Sequence, residues 1–356
     1  MPQEPTKGLV SSRPAIHVGG EEVPRLKVDL NKLSITEDIS GLYRCEASFN
    51  NLGDVNKTSD YLYFDRRILD FGKSLEIKRD DNTLFNGRIM AIEANYPAGQ
   101  ASEIGVLAED RFQDLRMTRR TRTFEDVSDA DVFNQIANDH GLSPSVNVDG
   151  PTYKVLAQVN QSDLAFMRER ARAIDAEVWM TGSTLNVKTR SNRNGGTLTL
   201  TRGSDLREFK VLADLASQRT SVTVNGWDVS SKAGLQFEAT ESAISPELNG
   251  DRSGVSILQS AVGARKEAVA HTVPLNSQEA QAVAESFFKM SARQFVVGSG
   301  VAETSSSLRV GATVDLRNLG PLFNGKYYVT EVVHLFDSVK GLRTEFCAER
   351  PGIGNS

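Results

Sequence analysis

The chain has 356 residues, a formal net charge of −5 and 39% hydrophobic residues. That length and composition suit two or three soluble domains with their own cores. The acidic balance argues against a general nucleic-acid binder, and no apolar run approaches the roughly 18–20 residues of a membrane span.

The opening stretch, MPQEPTKGLVSSRP, lacks an apolar signal core, so Sec export is not expected, and residues 1–19 read as a flexible arm. Residues 20–112 fit a small antiparallel β-barrel. Leu26, Val28 and Leu30 alternate through Arg25–Leu33, and Ile35–Phe49 reads as further strand with a loop at Glu37-Asp38. Asn50–Asp60 is polar and turn-rich, and Leu75–Lys78 leads into a hairpin whose Asp80-Asp81 is explained by turn chemistry.

Residues 113–190 read as a small α/β unit. Leu115–Thr123 is an arginine-rich strand whose charged side faces solvent or a neighbouring subunit. Ser128 caps a helix with the apolar stripe Val132, Phe133, Ile136 and Ala137, stopped by Gly141. Asp126, Asp129 and Asp131 lack the glycine and terminal glutamate of a calcium loop and suit a helix N-terminus. Ser162 caps a second helix with Leu164, Met167, Ala171 and Ile174 on one face. Ala176–Arg190 is a hairpin, and Asn192–Gly196 a linker.

Residues 197–350 form a second β-barrel domain with an insertion spanning 229–300. Leu206–Leu212 and Thr220–Trp227 are strand-like, and residues 229–275 are polar and poorly periodic. Asn276 caps a helix with a capping-box Glu279 that runs to about Phe295. Gly298–Ser307 reads as a loop, and residues 351–356 as a C-terminal tail.

One phrase occurs twice. Phe85-Asn86-Gly87 opens a hairpin that turns at Pro97-Ala98-Gly99 and returns through Ile104, Val106 and Ala108 to Glu109. Phe323-Asn324-Gly325 opens another, through Tyr327–His334, a turn at Asp337–Gly341, and Leu342–Ala348. Each comes after a short alternating strand that itself begins past a glycine: Gly72 with Leu75-Glu76-Ile77, and Gly311 with Val314-Asp315-Leu316. The six residues of the repeated phrase mark an internal duplication, with each glycine allowing positive φ or a close backbone approach.

Chemistry is not signalled. There is no GxxxxGK[ST], HExxH, GxSxG or CxxC pattern. Cys45 and Cys347 have no zinc spacing and read as buried strand thiols. His17, His140, His271 and His334 are scattered. No catalytic, metal-binding or cofactor-binding residues are expected, and no cofactor.

The order of features carries a resemblance: FNGRIMAIEA, AEDRFQDL, an Arg/Thr strand, VFNQIANDHGL, a Gln-x-Asn-x-Ser-Asp-Leu helix start, AEVWMTGSTLNVKTR, then LFNGKYYVTEVVHLFD and TEFCAER. Over about 20–350 the chain resembles the phage late control gene D protein family, the central baseplate hub of contractile tails. It is also similar to the N-terminal hub region of the valine-glycine repeat spike proteins of type VI secretion. The resemblance implies an α+β, mainly β fold: two related tube-like β-barrel domains flanking the small α/β domain, with a helix-containing insertion in the second. It implies a homotrimer placing six barrels around a channel, joining a six-fold tail tube to a three-fold spike. The implied partners are a tail tube protein or tube initiator, other baseplate (wedge) proteins and a spike. Because only Pro351–Ser356 come after the second barrel, a separate trimeric spike protein is expected. The implied location is a virion tail baseplate or injection particle assembled in the bacterial cytoplasm, with no specific nucleic-acid binding and no membrane span. The competing readings are a tail-tip cell-wall hydrolase, which a zymogram would reveal, and a receptor-binding tail protein, which would cluster exposed aromatics; Trp179 and Trp227 lie far apart in sequence.

Overall fold

Thirteen strands, most of them antiparallel, share one large sheet in the computed structural model, which describes residues 13–55, 57–228, 231–270 and 273–354. Its spatial order starts at Leu206–Ala213 and runs through Val296–Ala302, Gly341–Arg350 and Gly325–Asp337. It continues through Leu30–Asp38, Arg44–Asn50, Glu103–Glu109, Asn82–Asn95, Ser74–Arg79 and Ala15–Val18 to Glu21-Glu22. Thr197–Thr201 and Thr313–Arg317 branch from it beside Gly325–Asp337. The fold is mainly β. Among the described residues the sheet does not close into a barrel: Leu206–Ala213 has one neighbouring strand.

The sheet is built from two four-stranded antiparallel units, called meanders below, one from each end of the chain, each with its strands in the spatial order first, second, fourth, third. They meet at a seam where Gly325–Asp337 pairs antiparallel with Leu30–Asp38, from Glu331 opposite Asp38 to Asp337 opposite Lys32. Alternation sets the two faces, because successive side chains of a strand point oppositely. Leu33, Ile35, Cys45, Ala47, Phe49, Ile104, Val106 and Ala108 make the core of the N-terminal meander. Leu206, Val296, Ala302, Val329, Val332, Phe346 and Ala348 do the same in the C-terminal one.

A third core belongs to the middle segment. There Arg119–Ser128 pairs with Thr152–Ser162, and Thr184–Thr189 lies between Ser143–Asn147 and Ala176–Thr181. Helices Asp129–Asp139 and Asp163–Ala173 pack with them. Ser128 and Asp131 form a full capping box, and Ser162 accepts from the Ala165 N–H. A fourth core lies under helix Ser277–Arg293 and the sheet of Ser221–Asp228, Ala233–Thr240 and Lys266–Val269. The described residues of 229–275 are therefore more ordered than the composition of the stretch suggests.

Several segments differ from the sequence reading. Pro24–Asp29 is a helix with Pro24 in its first turn, although Leu26, Val28 and Leu30 alternate; proline is pre-organised for that position. The strand expected to break at Glu37-Asp38 runs through both, and the break falls at residues 39–43. Gly298–Ser307 begins as the strand Val296–Ala302. Its Gly298 and Gly300 lie under the rings of Phe209 and Phe346, where any side chain would collide. Asn50–Asp60 holds a short hairpin, Leu52–Val55 with Thr58–Tyr61. Residues 1–12 of the expected arm, 355–356 of the tail, and His271 lie outside the described residues.

Candidate functional site

The duplicated hairpins are the place to look for function, and strand register compares them residue by residue. In the N-terminal hairpin Arg88 pairs with Glu109 and Ile89 with Ala108; in the C-terminal one Tyr328 pairs with Glu349 and Val329 with Ala348. Each then has a bulge, between Ile89 and Ala91 and between Val329 and Glu331. The first strands match too, with bulges between Leu30 and Lys32 and between Leu206 and Glu208. A bulge adds one unpaired residue and bends its strand, re-aiming the side chains beyond it, so shared bulges mean shared geometry. The preceding glycines match as well: Gly72 donates to the Ile89 carbonyl at 2.8 Å and Gly311 to that of Val329 at 3.0 Å.

The repeated phrase itself is out of step. Ile77 pairs with Phe85, whereas Leu316 pairs with Gly325. Phe85 therefore occupies the position of Gly325, and Gly87 that of Tyr327. Phe85, Asn86 and Gly87 lie inside the strand Asn82–Asn95, while Phe323 and Asn324 belong to the loop before Gly325–Asp337. The glycines differ accordingly. Gly325 has φ +127, open to glycine alone; Gly87 lacks positive φ, but a methyl group there would strike the Glu109 carbonyl and the Phe85 ring.

The outward face of the sheet is mixed in both meanders, with charged side chains set among apolar ones such as Leu107, Leu335, Val301 and Val333. A trough of about 1150 Å³ is lined by Lys32, Ser34, Glu46, Ser48, Glu93 and Glu103, and reaches Asp337 and Arg343 across the seam. A second, of about 480 Å³, occupies equivalent positions in the C-terminal meander, with Glu208, Lys210, Ser299, Glu331, Glu345 and Cys347. Carboxylates outnumber cations four to two in the first and three to one in the second. That excess of carboxylates disfavours polyanions at both troughs. Cys347 is half-buried on this face, and burial, then Glu331, pushes its thiol pKa up; Cys45 is fully buried.

Buried charge ties the middle segment to both meanders. Arg193, assigned to a linker by sequence, is buried: it donates to Glu177 at 2.9 Å, to the Val310 carbonyl at 2.7 Å and to the Tyr43 hydroxyl at 3.1 Å, and stacks on Trp179. Burial works to discharge it, and Tyr43, Tyr328 and Glu177 more than offset that. Arg190 reaches Glu349 at 2.7 Å. Across the seam, Arg309 pairs with buried Glu37. Asp110 accepts the N–H groups of Tyr43 and Phe112, both at 3.0 Å; burial pushes its pKa up to about 7 despite those donors. His334 is buried at the seam beside the Thr344 hydroxyl at 2.8 Å; burial, then Arg309 and Arg79, pushes its pKa down to about 3.

The acidic run in the middle segment is dispersed. Asp126 pairs with Lys154, Asp131 accepts from the N–H and hydroxyl of the cap residue Ser128, and buried Asp129 binds Arg170 and the Tyr153 hydroxyl. The arginine-rich strand is also partnered, with Arg122 on Asp139 and Asp163 at 2.8 Å each. Glu279 accepts from the Leu275 N–H at 2.9 Å, one residue before the helix cap. No group of three or more His, Cys, Asp or Glu residues is placed to hold a metal ion among the described residues.

The family model for the Alg8 N-terminal domain matches residues 8–337. The chain belongs to that family. No curated protein matches it in sequence. Among solved structures it is similar to the prophage MuSo2 43 kDa tail protein from Shewanella oneidensis, at 11% identity and TM-score 0.70, covering 95% of this chain and 98% of that one. A tail protein from Neisseria meningitidis MC58 matches at 13% identity and TM-score 0.65, covering 96% and 97%. An Escherichia coli component of the type VI secretion system, described as structurally similar to T4 bacteriophage tail proteins, matches at 13% identity and TM-score 0.53, covering 92% and 76%. At such identities the likeness is one of fold, and that fold is shared with phage tail proteins. No helix among the described residues is long and apolar enough to cross a membrane.

Proposed function

We propose that the chain is the structural central hub of the baseplate of a phage tail or phage-like contractile injection particle. In this reading it is a homotrimeric adaptor between a six-fold tail tube and a three-fold spike, and not an enzyme. The observation that carries it is the meander built twice with the same bulges. Two equivalent modules per chain make six positions in three copies, which is what a three-fold part needs to meet a six-fold one. The fold shared with tail proteins supports the same reading. So does the motif order that resembles the late control gene D family.

The two meanders with their flanking strands correspond to the tube-like domains 20–112 and 197–350, and residues 113–190 to the unit between them. Each meander is an open sheet in the isolated chain, so its closure falls to neighbouring copies. The acidic troughs then face the channel, whose charge repels DNA in transit. The partners are the tube or its initiator, wedge proteins and a spike, and the place is the tail baseplate.

The test is a reconstruction of particles carrying this chain with an affinity tag. Three copies between tube and spike are expected. Six copies in one ring, or density confined to the sheath, would overturn the assignment.

A further inference from the structure

A pocket of about 180 Å³ lies where the loop at residues 39–43, helix Asp163–Ala173, strand Ala176–Thr181 and helix Ser277–Arg293 come together. Ala171 and Val178 are buried in its wall, and Ile39 and Met290 stand at its rim, 40% and 38% exposed. The rim is held in place. Asp38 accepts the Ser40 N–H at 2.7 Å, and the Ile39 N–H donates to the Thr330 carbonyl at 3.1 Å. Ser286 donates to the Arg172 carbonyl at 2.5 Å, which ties one helix to the end of the other. Ile39 and Met290 are therefore apolar surface on a fixed frame.

Charge around the pocket is unevenly satisfied. Its three carboxylates are already paired, Asp175 with Arg293, and Glu177 and Glu349 with Arg190. Two further arginines line it without a carboxylate of their own. Arg168 donates to the Ser40 and Gly41 carbonyls at 2.5 and 2.9 Å. The exposed Arg172 side chain has no partner among the described residues. Burial lowers the Arg168 pKa; Asp38 and Asp110 oppose that, while Arg116 and Arg172 reinforce it. A guanidinium that is partly desolvated and repelled by like charges is stabilised by an incoming anion.

Size and charge together select the occupant. Small-molecule sites run to roughly 300–1,000 Å³, and this pocket is smaller. An apolar cavity of about 150 Å³ takes one benzene, so this one takes a single side chain of leucine size. We propose that the pocket binds the C-terminal residue of a partner protein, its aliphatic side chain inside and its free carboxylate on Arg168 and Arg172. A chain end is where an apolar side chain and a carboxylate share one Cα, and arginine binds carboxylate through two parallel N–H bonds. The site lies within one copy of the chain, so it stands whether or not the hub reading does. The N-terminal meander has no counterpart of helix Ser277–Arg293, so the pocket occurs once per chain, and a trimer would offer three.

Methyl NMR of the full chain with isotope-labelled methionine tests it, because Met290 stands at the rim; Met290→Leu assigns its signal. N-acetyl-leucine is the probe. It should shift the Met290 methyl saturably with Kd in about the millimolar range, the scale for one buried side chain and one charged contact. N-acetyl-leucinamide lacks the carboxylate and N-acetylglycine the side chain, and each should bind at least about tenfold more weakly. Arg172→Glu should weaken binding of N-acetyl-leucine by at least about tenfold, and Arg172→Lys, which keeps the charge, by less. Arg172 is exposed, so both variants should fold. An unmoved Met290 methyl in the folded protein, equal binding of the amide, or unchanged binding after Arg172→Glu would overturn the proposal. Acetyl-aspartyl-leucinamide carries its carboxylate within the chain. If it binds as tightly as N-acetyl-leucine, the site takes an internal acidic segment and the chain-end assignment falls.

Discussion

Cutting the Glu37–Arg309 pair should destabilise the chain by an amount that depends on which partner is removed. Glu37 lies in the seam opposite Val332 with its side chain 1% exposed, and Arg309 brings it the compensating charge. Arg309 is 32% exposed, so its head can turn to water. Arg309→Met strands a carboxylate in the core, and its other contact, the Val310 N–H at 3.5 Å, is too long to compensate. Breaking a buried pair in that way costs about 3–5 kcal/mol. Glu37→Leu leaves a cation that can rehydrate and places an apolar side chain in an apolar setting, so about 1–2 kcal/mol is expected. The double variant Glu37→Leu/Arg309→Met should fall close to Glu37→Leu, so the coupling equals the cost of Arg309→Met alone, about 3–5 kcal/mol. Urea unfolding monitored by tryptophan fluorescence reads this, with constant slope m as the check that one transition is compared. Arg309→Met within about 0.5 kcal/mol of the parent, or Glu37→Leu costing more than Arg309→Met, would refute the charge assignment.

The two repeat glycines should fail for different reasons: Gly325→Val by about 1–3 kcal/mol through φ +127, and Gly87→Ala by a similar amount through collision with the Glu109 carbonyl. A neutral Gly87→Ala in the same unfolding assay would contradict the close approach. Stability should fall on acidification, because His334 titrates near 3 when folded and near 6.5 when unfolded. The unfolded chain thus binds the extra proton between those values, and its contribution is complete above about pH 6.5 and declines by about 1.4 kcal/mol per pH unit below it. His334→Gln should flatten that part of the profile, and an unchanged slope would remove His334 as its source. Tight DNA binding by the purified protein that weakens steeply with salt would count against the acidic troughs as a non-adhesive lining.

The sequence showed most where structure is local. The caps at Ser128, Ser162 and Asn276 each accept the expected N–H, because a cap needs only its next turn. It misled where two local signals conflict. Leu26, Val28 and Leu30 alternate like a strand, yet Pro24 starts a helix. Gly298 and Gly300 look like a loop, yet they make room for Phe209 and Phe346, rings remote in sequence. The duplicated phrase located the repeat without its register: matching letters set Phe85 against Phe323, and hydrogen bonding sets Phe85 against Gly325. Glu37 opposite Val332, and Arg193 between three segments, depend on partners that no window of sequence contains.

The two meanders share a backbone plan but not their attachments, and that difference suits an adaptor. In the N-terminal meander, residues 39–43 alone join Leu30–Asp38 to Arg44–Asn50. At the same junction of the C-terminal meander, residues 214–295 intervene, with the helix Ser277–Arg293 and its own sheet. That helix is held on the middle segment, where Arg293 binds Asp175 and Ser286 donates to the Arg172 carbonyl, while Arg293 also binds Glu247 of the insertion itself. The hairpin tips differ as well. Tyr96 packs edge-on against Phe64, which stacks near Tyr61, at the first tip, whereas the second presents Val339, 91% exposed. In the proposed ring, backbone edges recur six times and these additions three times each. A partner that contacts the strand frame meets six-fold symmetry, and one that contacts the insertion or a single kind of tip meets three-fold symmetry. The change of symmetry then needs no distortion of either meander, because only side chains and insertions distinguish one half of the chain from the other.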